Sequence, residues 1–565
     1  MCLNPTGRRS PSSKSGGHGT KEVHLTPGGP VDIPHLYFVN QPRGEVQRQS
    51  RMVENGLSQG VSQGRSSVDS FCNGRRSEGP NMSIEFRLYD NRTPFQKDPV
   101  QSRRERNPEA ADTKRNQGTG VRSEKDREET ASMPRMIERI AHPANLETAC
   151  RKVEANKGSA GVDGMGVEEL SEYMEAHKEE ISNGLLKGTY KPQPARRVYI
   201  PKPNGKKRPL GIPRVVDRVI QQAVSQQLSQ VYEPVFSEYS YGFRPDRSAQ
   251  QAVLQAMVYL NEGYDWIVDL DIEKFFDRVN QDKLISIIRE QMNESEVLGL
   301  IRKFLKAGVM ENGVKQKTEE GTPQGGPLSP LLANIYLDKF DKELEQRGLR
   351  FVRYADDCII FTKSEKAANR VMASVISWLK RKLFLTASAE KTRVVRPTKG
   401  KFLGFTFWKG SDGWKCRPHD DSKKRLKEKI RSVTVRRKAA AIPLAVTFTR
   451  INQIVRGWIN YYRIGAMSMW LKETFGPWMR HRVRVVILKQ WKHRGTIFTN
   501  LWKLNGRISH PFPNSYVFAQ SMTHCGWYRL GNNEVVNMIL NPHILSLKRK
   551  DRPGLVDPWK YYSCA

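Results

Sequence analysis

The sequence predicts an α+β fold preceded by a long unstructured extension, on three observations. Residues 1 to about 135 are rich in Gly, Ser, Arg, Asn, Gln and Pro, with few apolar clusters beyond His35-Leu36-Tyr37-Phe38-Val39. Such a stretch buries too little apolar surface to offset the entropy of ordering, so disorder is expected. From Met136 to about residue 410, short strands alternate with segments of helical period. Beyond that point the chain becomes mainly helical and strongly basic. The expected divisions are therefore 1–135, 136–410, a helical region over 411–505 and a basic, DNA-binding-like tail over 506–565.

Taken in order, Ile137, Ile140 and Ala141 start a helical period, and Gly158–Gly164 reads as a loop before a further helix. Val198–Lys202 reads as a strand, Pro203-Asn204-Gly205 as a turn, and Lys206–Ile212 as a basic return strand. Residues 217–232 have helical spacing, and Trp266–Ile272 has the composition of a buried strand. Ser329-Pro330 reads as an N-cap with proline at the first helical position, and Leu331, Leu332, Ile335, Tyr336, Phe340 and Leu344 mark one face of the helix that follows. Phe351–Phe361 reads as two short strands joined at an acidic tip. Phe448, Ile451, Val455, Trp458 and Tyr462 fall at three- and four-residue steps, an amphipathic helix whose aromatics are expected in a core.

Charge points to the class of partner. Lys and Arg number 94 against 59 Asp and Glu, a net charge of +35, which suits a polyanion held through counterion release. The run Lys423, Lys424, Arg425, Lys427, Lys429, Arg431, Arg436, Arg437, Lys438 contains little acid, as expected of a phosphate-contacting surface. Seven cysteines with no CxxC pair do not make a disulfide framework, and a reducing interior fits. No apolar run is long enough to cross a bilayer, so no membrane partner is expected. A cytoplasmic setting is expected, with an organelle as the alternative because the first acidic residue is Glu22.

The chemistry rests on carboxylates in apolar surroundings. Asp269 and Asp271 lie two apart in an apolar strand and so share one face. A carboxylate there is costly unless it is paired or binds a metal. Asp356-Asp357 sits between apolar strands, with no Gly or Asn to ease a hairpin. If Asp271 and Asp356 converge, they form a hard oxygen site suited to Mg²⁺ and to in-line phosphoryl transfer. Lys202 and Arg208, on one hairpin, are the candidate clamp for a triphosphate.

These residues also carry a resemblance. Tyr354-Ala355-Asp356-Asp357 resembles the YxDD box of reverse transcriptases, and Asp271-Ile272-Glu273-Lys274-Phe275-Phe276-Asp277 their first catalytic motif. The accompanying blocks are Lys206–Pro213, Ser240–Pro245, Thr322–Pro330, Glu390-Lys391-Thr392 and Phe402–Phe405, and their order is similar to group II intron-encoded reverse transcriptases. The likeness runs from about Gly158 to about Phe407, with a weaker maturase-like continuation to about residue 505 that includes Arg456–Tyr462.

The resemblance implies a right-hand polymerase of fingers, palm and thumb with a maturase region. It would use Mg²⁺ and dNTPs on an RNA template and a DNA primer or target, and would bind its intron RNA. By position, Asp271, Asp356 and Asp357 are the implied catalytic and metal-binding carboxylates, with Ile272 beside them at the metal. Phe276 is the implied aromatic gate against a 2′-hydroxyl, Gln324 and Gly325 the implied nucleotide and template contact, and Lys391 the implied general acid toward pyrophosphate. Three departures stand out. Ser388 replaces the usual Asn ahead of that lysine, no HNH-type endonuclease spacing follows residue 506, and residues 1–135 have no family counterpart. Two other readings are a splicing cofactor with a vestigial polymerase site, and a retron or defence-associated reverse transcriptase.

Overall fold

The computed structural model describes residues 134–565 apart from 202–204, 206, 323–324, 550–551 and 565. Lys202 and Gln324 therefore lie outside the described residues, as does nearly all of the extension expected to be disordered.

Three helices come first: α1 (Met136–Ala141), α2 (Pro143–Ala155) and α3 (Leu170–Leu186), with Gly158–Gly164 in the loop before the last. The hairpin of β1 (Ala195–Pro201) and β2 (Lys207–Ile212) leads into α4 (Val215–Tyr232) and α5 (Ala249–Asn261). After β3 (Trp266–Asp271) come α6 (Phe275–Arg278), α7 (Gln281–Gln291) and α8 (Ser295–Lys306). Strands β4 (Val309–Glu311) and β5 (Val314–Gln316) extend the first hairpin into a sheet of order β2-β1-β4-β5, in which β1 and β4 run parallel. Helix α9 (Ser329–Gln346) then crosses to β6 (Arg350–Tyr354) and β7 (Asp357–Thr362). It begins one residue earlier than its sequence suggests. Ser329 is its first residue and Leu328 occupies the cap position without a side-chain acceptor, while Pro330 still lies in the first turn, where its missing N–H costs nothing.

Helix α10 (Glu365–Leu383) and β8 (Arg393–Val395) complete a central antiparallel sheet of order β6-β7-β3-β8. A separate hairpin, β9 (Phe405–Gly410) and β10 (Gly413–Pro418), precedes the helical half. That half contains α11 (Asp420–Val433), α12 (Arg436–Ala441), α13 (Leu444–Tyr462), a π-helical turn at Trp470–Phe475, α14 (Gly476–Trp491) and α15 (Arg494–Asn505).

Alternation along the strands divides the core in two. Val268 and Leu270 of β3, with Ile360 of β7, face a core shared with α1–α4 and α7–α10. Ile267, Ile359, Phe361 and Val352, on the opposite face, pack against α5, β9, α11, α13 and α14. By the same period, Asp269 and Asp271 share the Ile267 face. That face is thus apolar at one end and acidic at the other.

The stretch expected as a C-terminal tail is packed onto the helical half. Leu530, Val535, Val536, Ile539, Leu545 and Leu555 are buried in the second core. The Asn452 side chain donates to Gly554 O at 2.8 Å and accepts from Val556 N at 2.8 Å, and buried Arg484 donates to Gly531 O at 2.9 Å. Apolar residues at helical spacing within a basic composition account for the difference: overall charge suggested a tail, but the period supplies a core.

Candidate active site

The antiparallel pairing of β3 with β7 places Asp271 directly opposite Asp357, and that of β6 with β7 places Tyr354 opposite Asp357. Ala355 and Asp356 are therefore the two-residue turn of the β6–β7 hairpin. Ala355 adopts φ 58°, a left-handed value that a two-residue turn demands and that alanine adopts at a cost. The acidic tip of the sequence is thus a tight turn that brings Asp356 and Asp357 to the end of β3.

What holds this turn was not singled out in the sequence. Arg353, 1% exposed, lies beneath it and forms an ion pair with fully buried Asp341 of α9, Nε to Oδ1 at 2.7 Å with a second bond from Nη2. The same guanidinium donates to Asn334 Oδ1 (3.1 Å), Ser240 Oγ (2.8 Å) and the Ala355 carbonyl (2.9 Å). Asn334 in turn donates to Gly242 O at 2.8 Å. A Cβ on Gly242 would collide with the Ala355 amide nitrogen, so only glycine permits this approach. The block Ser240–Pro245 thus forms a backbone brace for the acidic turn. A basic residue inside an apolar strand, three positions before the acids, was the available signal.

Lys391 is brought to the same place. Its Nζ donates to both Asp271 oxygens, at 2.8 and 2.9 Å, while Ser388 N donates to Asp271 O at 2.8 Å. Asp269 pairs with Arg393 at 3.4 Å. Arg208, on β2, is near enough to Asp356 to favour its ionised form. Phe276 sits in α6 with its ring edge-on to Phe275 at 5.2 Å, and its carbonyl accepts from Thr322 N at 2.7 Å, which ties it to the Thr322–Pro330 block. Gly325, at φ 123°, packs where a Cβ would strike Gly211 O of β2. Ile272 is 4% exposed and its apolar side chain offers no ligand atom.

The electrostatics are those of an under-compensated acid cluster. Burial raises the carboxyls of Asp269 and Asp356 above the usual range, against the pull of Arg393 and Arg208 respectively. Asp357, though exposed on one side, is pushed up to about 7 by desolvation from the protein around it and then by Asp356, Asp271 and Asp269. The bond to Asp271 raises the Lys391 ammonium. Among the described residues, no three His, Cys, Asp or Glu side chains close on one point as a protein-only metal cage. The facing carboxylates of Asp271 and Asp357, with Asp356 beside them, nonetheless fit Mg²⁺, which commonly takes one or two carboxylates and completes its shell with water and substrate phosphate.

The basic run on α11 is divided in use. Lys423 lies over Trp470 at 5.7 Å and bonds to Asp420, while Lys427 and Arg431 lie over Trp478 at 5.5 and 5.6 Å. Lys424, Arg425 and Lys429 face solvent, as do Arg436, Arg437 and Lys438 of α12. His524 and Cys525 are not part of any metal cluster among the described residues.

Comparison with known proteins accords with this geometry. Residues 200–407 match the family described as reverse transcriptase (RNA-dependent DNA polymerase), and residues 423–503 match the group II intron maturase-specific domain. Protein YkfC of Escherichia coli (strain K12) is 32% identical over 311 residues, covering 48% of this chain and 82% of that protein. The group II intron-encoded protein LtrA of Lactococcus lactis subsp. cremoris is 42% identical over 226 residues, 40% of this chain but 37% of its own length. A putative COX1/OXI3 intron 2 protein of Saccharomyces cerevisiae is 30% identical over 221 residues, 38% of this chain and 25% of that protein. The chain belongs to the group II intron-encoded reverse transcriptase and maturase family.

Proposed function

We propose that this protein is an RNA-directed DNA polymerase that binds its intron RNA, assists splicing and copies the RNA into cDNA during retrohoming. The observation that carries this reading is the strand register that sets Asp271 opposite Asp357, with Asp356 on the adjoining turn. In this reading residues 136–410 are fingers and palm and 411–505 the thumb and maturase helices. The protein works in the cytoplasm, at the nucleoid when it meets its DNA target.

Asp271, Asp356 and Asp357 would hold Mg²⁺, with Ile272 contributing through its main chain. The bound ions supply a hard Lewis acid at the 3′-hydroxyl and the phosphates, as in two-metal nucleotidyl transfer. The protein's own groups do the rest. Arg208, with Lys202, binds the triphosphate through charge-assisted hydrogen bonds. The Phe276 ring blocks a 2′-hydroxyl and so selects dNTPs. Gln324 and Gly325 line the nucleotide and template. Lys391 Nζ leaves Asp271 as pyrophosphate departs and gives its proton to the leaving oxygen.

The test is extension of a DNA primer on an RNA template with Mg²⁺. Purified protein should extend it, and Asp356→Ala with Asp357→Ala should not. Splicing assistance without extension by the wild-type protein would favour a non-enzymatic splicing cofactor.

A further inference from the structure

Phe243 has a strained backbone next to the acidic turn. Its φ is 60°, in the left-handed region where a bulky side chain is a true outlier. Such strain persists only where the surroundings impose it, and it gathers at functional sites. The residues on either side impose it here. Gly242 presses against Ala355 and its carbonyl is held by Asn334. Arg244, 7% exposed, is locked to Glu233 Oε2 (2.9 Å), Ser237 O (2.6 Å) and Ser240 O (3.0 Å).

Between these two anchors the phenyl ring is 46% exposed. It belongs to neither core, so packing does not explain the strain. A peptide partner would need a contiguous apolar patch, yet Phe243 is followed by Arg244 and the exposed Pro245 and Asp246. A phosphate would need donors, which a phenyl ring lacks. An exposed flat aromatic face on an anchored backbone, one residue from the Gly242 that touches the acidic turn, suits a nucleobase, because every base has a π-face to stack.

We propose that Phe243 is a stacking platform for one base of the primer–template at its 3′-end. The assignment rests on the polymerase reading above and adds a nucleic-acid-binding residue to it. Glycine at this position tests it, since glycine accepts φ 60° without strain while removing the ring.

The experiment is a fluorescence titration of the full chain with primer–templates carrying 2-aminopurine at successive positions around the primer end. Wild type, Phe243→Gly and Phe243→Trp are compared, and each variant's melting temperature is measured. One position should be quenched on wild-type protein and not on Phe243→Gly, whose dissociation constant should rise about ten-fold. Phe243→Trp should restore both, and Phe243→Gly should melt no lower than wild type. Wild-type affinity for Phe243→Gly with unchanged fluorescence at every position would overturn the proposal. So would a lower melting temperature for that variant, which would make the ring a packing element. Binding is read without chemistry, so the two readings fail separately: wild-type protein that shows the quenched base but extends no primer would refute the polymerase assignment alone.

Discussion

At the end of the central sheet, Asp269, Asp271, Asp356 and Asp357 crowd together with Lys391 and Arg393 as their bonded cations. Along α11, an equally dense run of cations is spread over a helix whose Lys423, Lys427 and Arg431 rest on indole rings. Both regions concentrate one sign of charge, but the consequences differ. Strand pairing fixes the carboxylates, and at Asp357 desolvation, with the neighbouring acids Asp356, Asp271 and Asp269, shows as raised proton affinity. Helix side chains are long and flexible, so their charges spread into water or settle on aromatic faces. Rigid backbone makes like charge into a site, whereas flexible stems make it into a surface.

The largest expected effect sharpens that contrast. Asp356→Ala with Asp357→Ala should lower primer extension by roughly a thousand-fold or more while circular dichroism stays unchanged, since the change removes charge developed for the transition state. The same variant should still promote splicing, because RNA binding uses other surfaces. Loss of splicing in a folded variant would contradict that separation.

Next comes the support beneath the turn. Arg353→Met leaves Asp341, wholly buried, without its partner, and breaking such a pair costs about 3–5 kcal/mol. Urea denaturation should show this loss. A midpoint within error of wild type would mean that the brace does not hold the turn.

The third prediction concerns pH. The Asp357 carboxyl is raised to about 7, so its ionisation opposes folding. That contribution favours the folded state below the ordinary carboxyl value and is lost as pH rises toward 7. Without divalent cations, Asp357→Asn should therefore melt above wild type at pH 8, and the gap should shrink as pH falls toward 4. Added Mg²⁺ should also narrow it, by stabilising the wild type. A gap independent of pH would show that the crowding is not electrostatic.

The smallest effects separate the two sides of α11. Replacing Lys424, Arg425 and Lys429 with Ala should lower the slope of log affinity against log salt for RNA by about 2–3, with little change in melting temperature. Replacing Lys423 and Lys427 should do the reverse, costing about 1 kcal/mol of stability and leaving the slope nearly unchanged. Equal slopes for the two sets would erase the distinction drawn between them.

The acidic tip, the strand carrying Asp269 and Asp271, and the helix that begins at Ser329-Pro330 were legible because each depends on local spacing. The i, i+2 spacing within Trp266–Ile272 also announced that two acids share one face. The brace was not legible. Arg353 reads as one more cation of a very basic chain until Asp341, Asn334, Ser240 and Ala355 surround it, and those partners come from three separate segments. Phe243 read as part of a motif, and its strain exists only in the folded backbone. The C-terminal stretch misled for the opposite reason, since its composition outweighed its period.

The sequence alone determined which residues are available for chemistry and which face of their strand or helix they occupy, because period and turn chemistry are local properties of the chain. Only the tertiary structure decided the rest: that Asp271 meets Asp357, that Lys391 arrives beside them, and that Lys423, Lys427 and Arg431 of the basic run are already engaged by indoles. Register, burial and long-range pairing are set by packing between distant segments, and local spacing does not encode those distances.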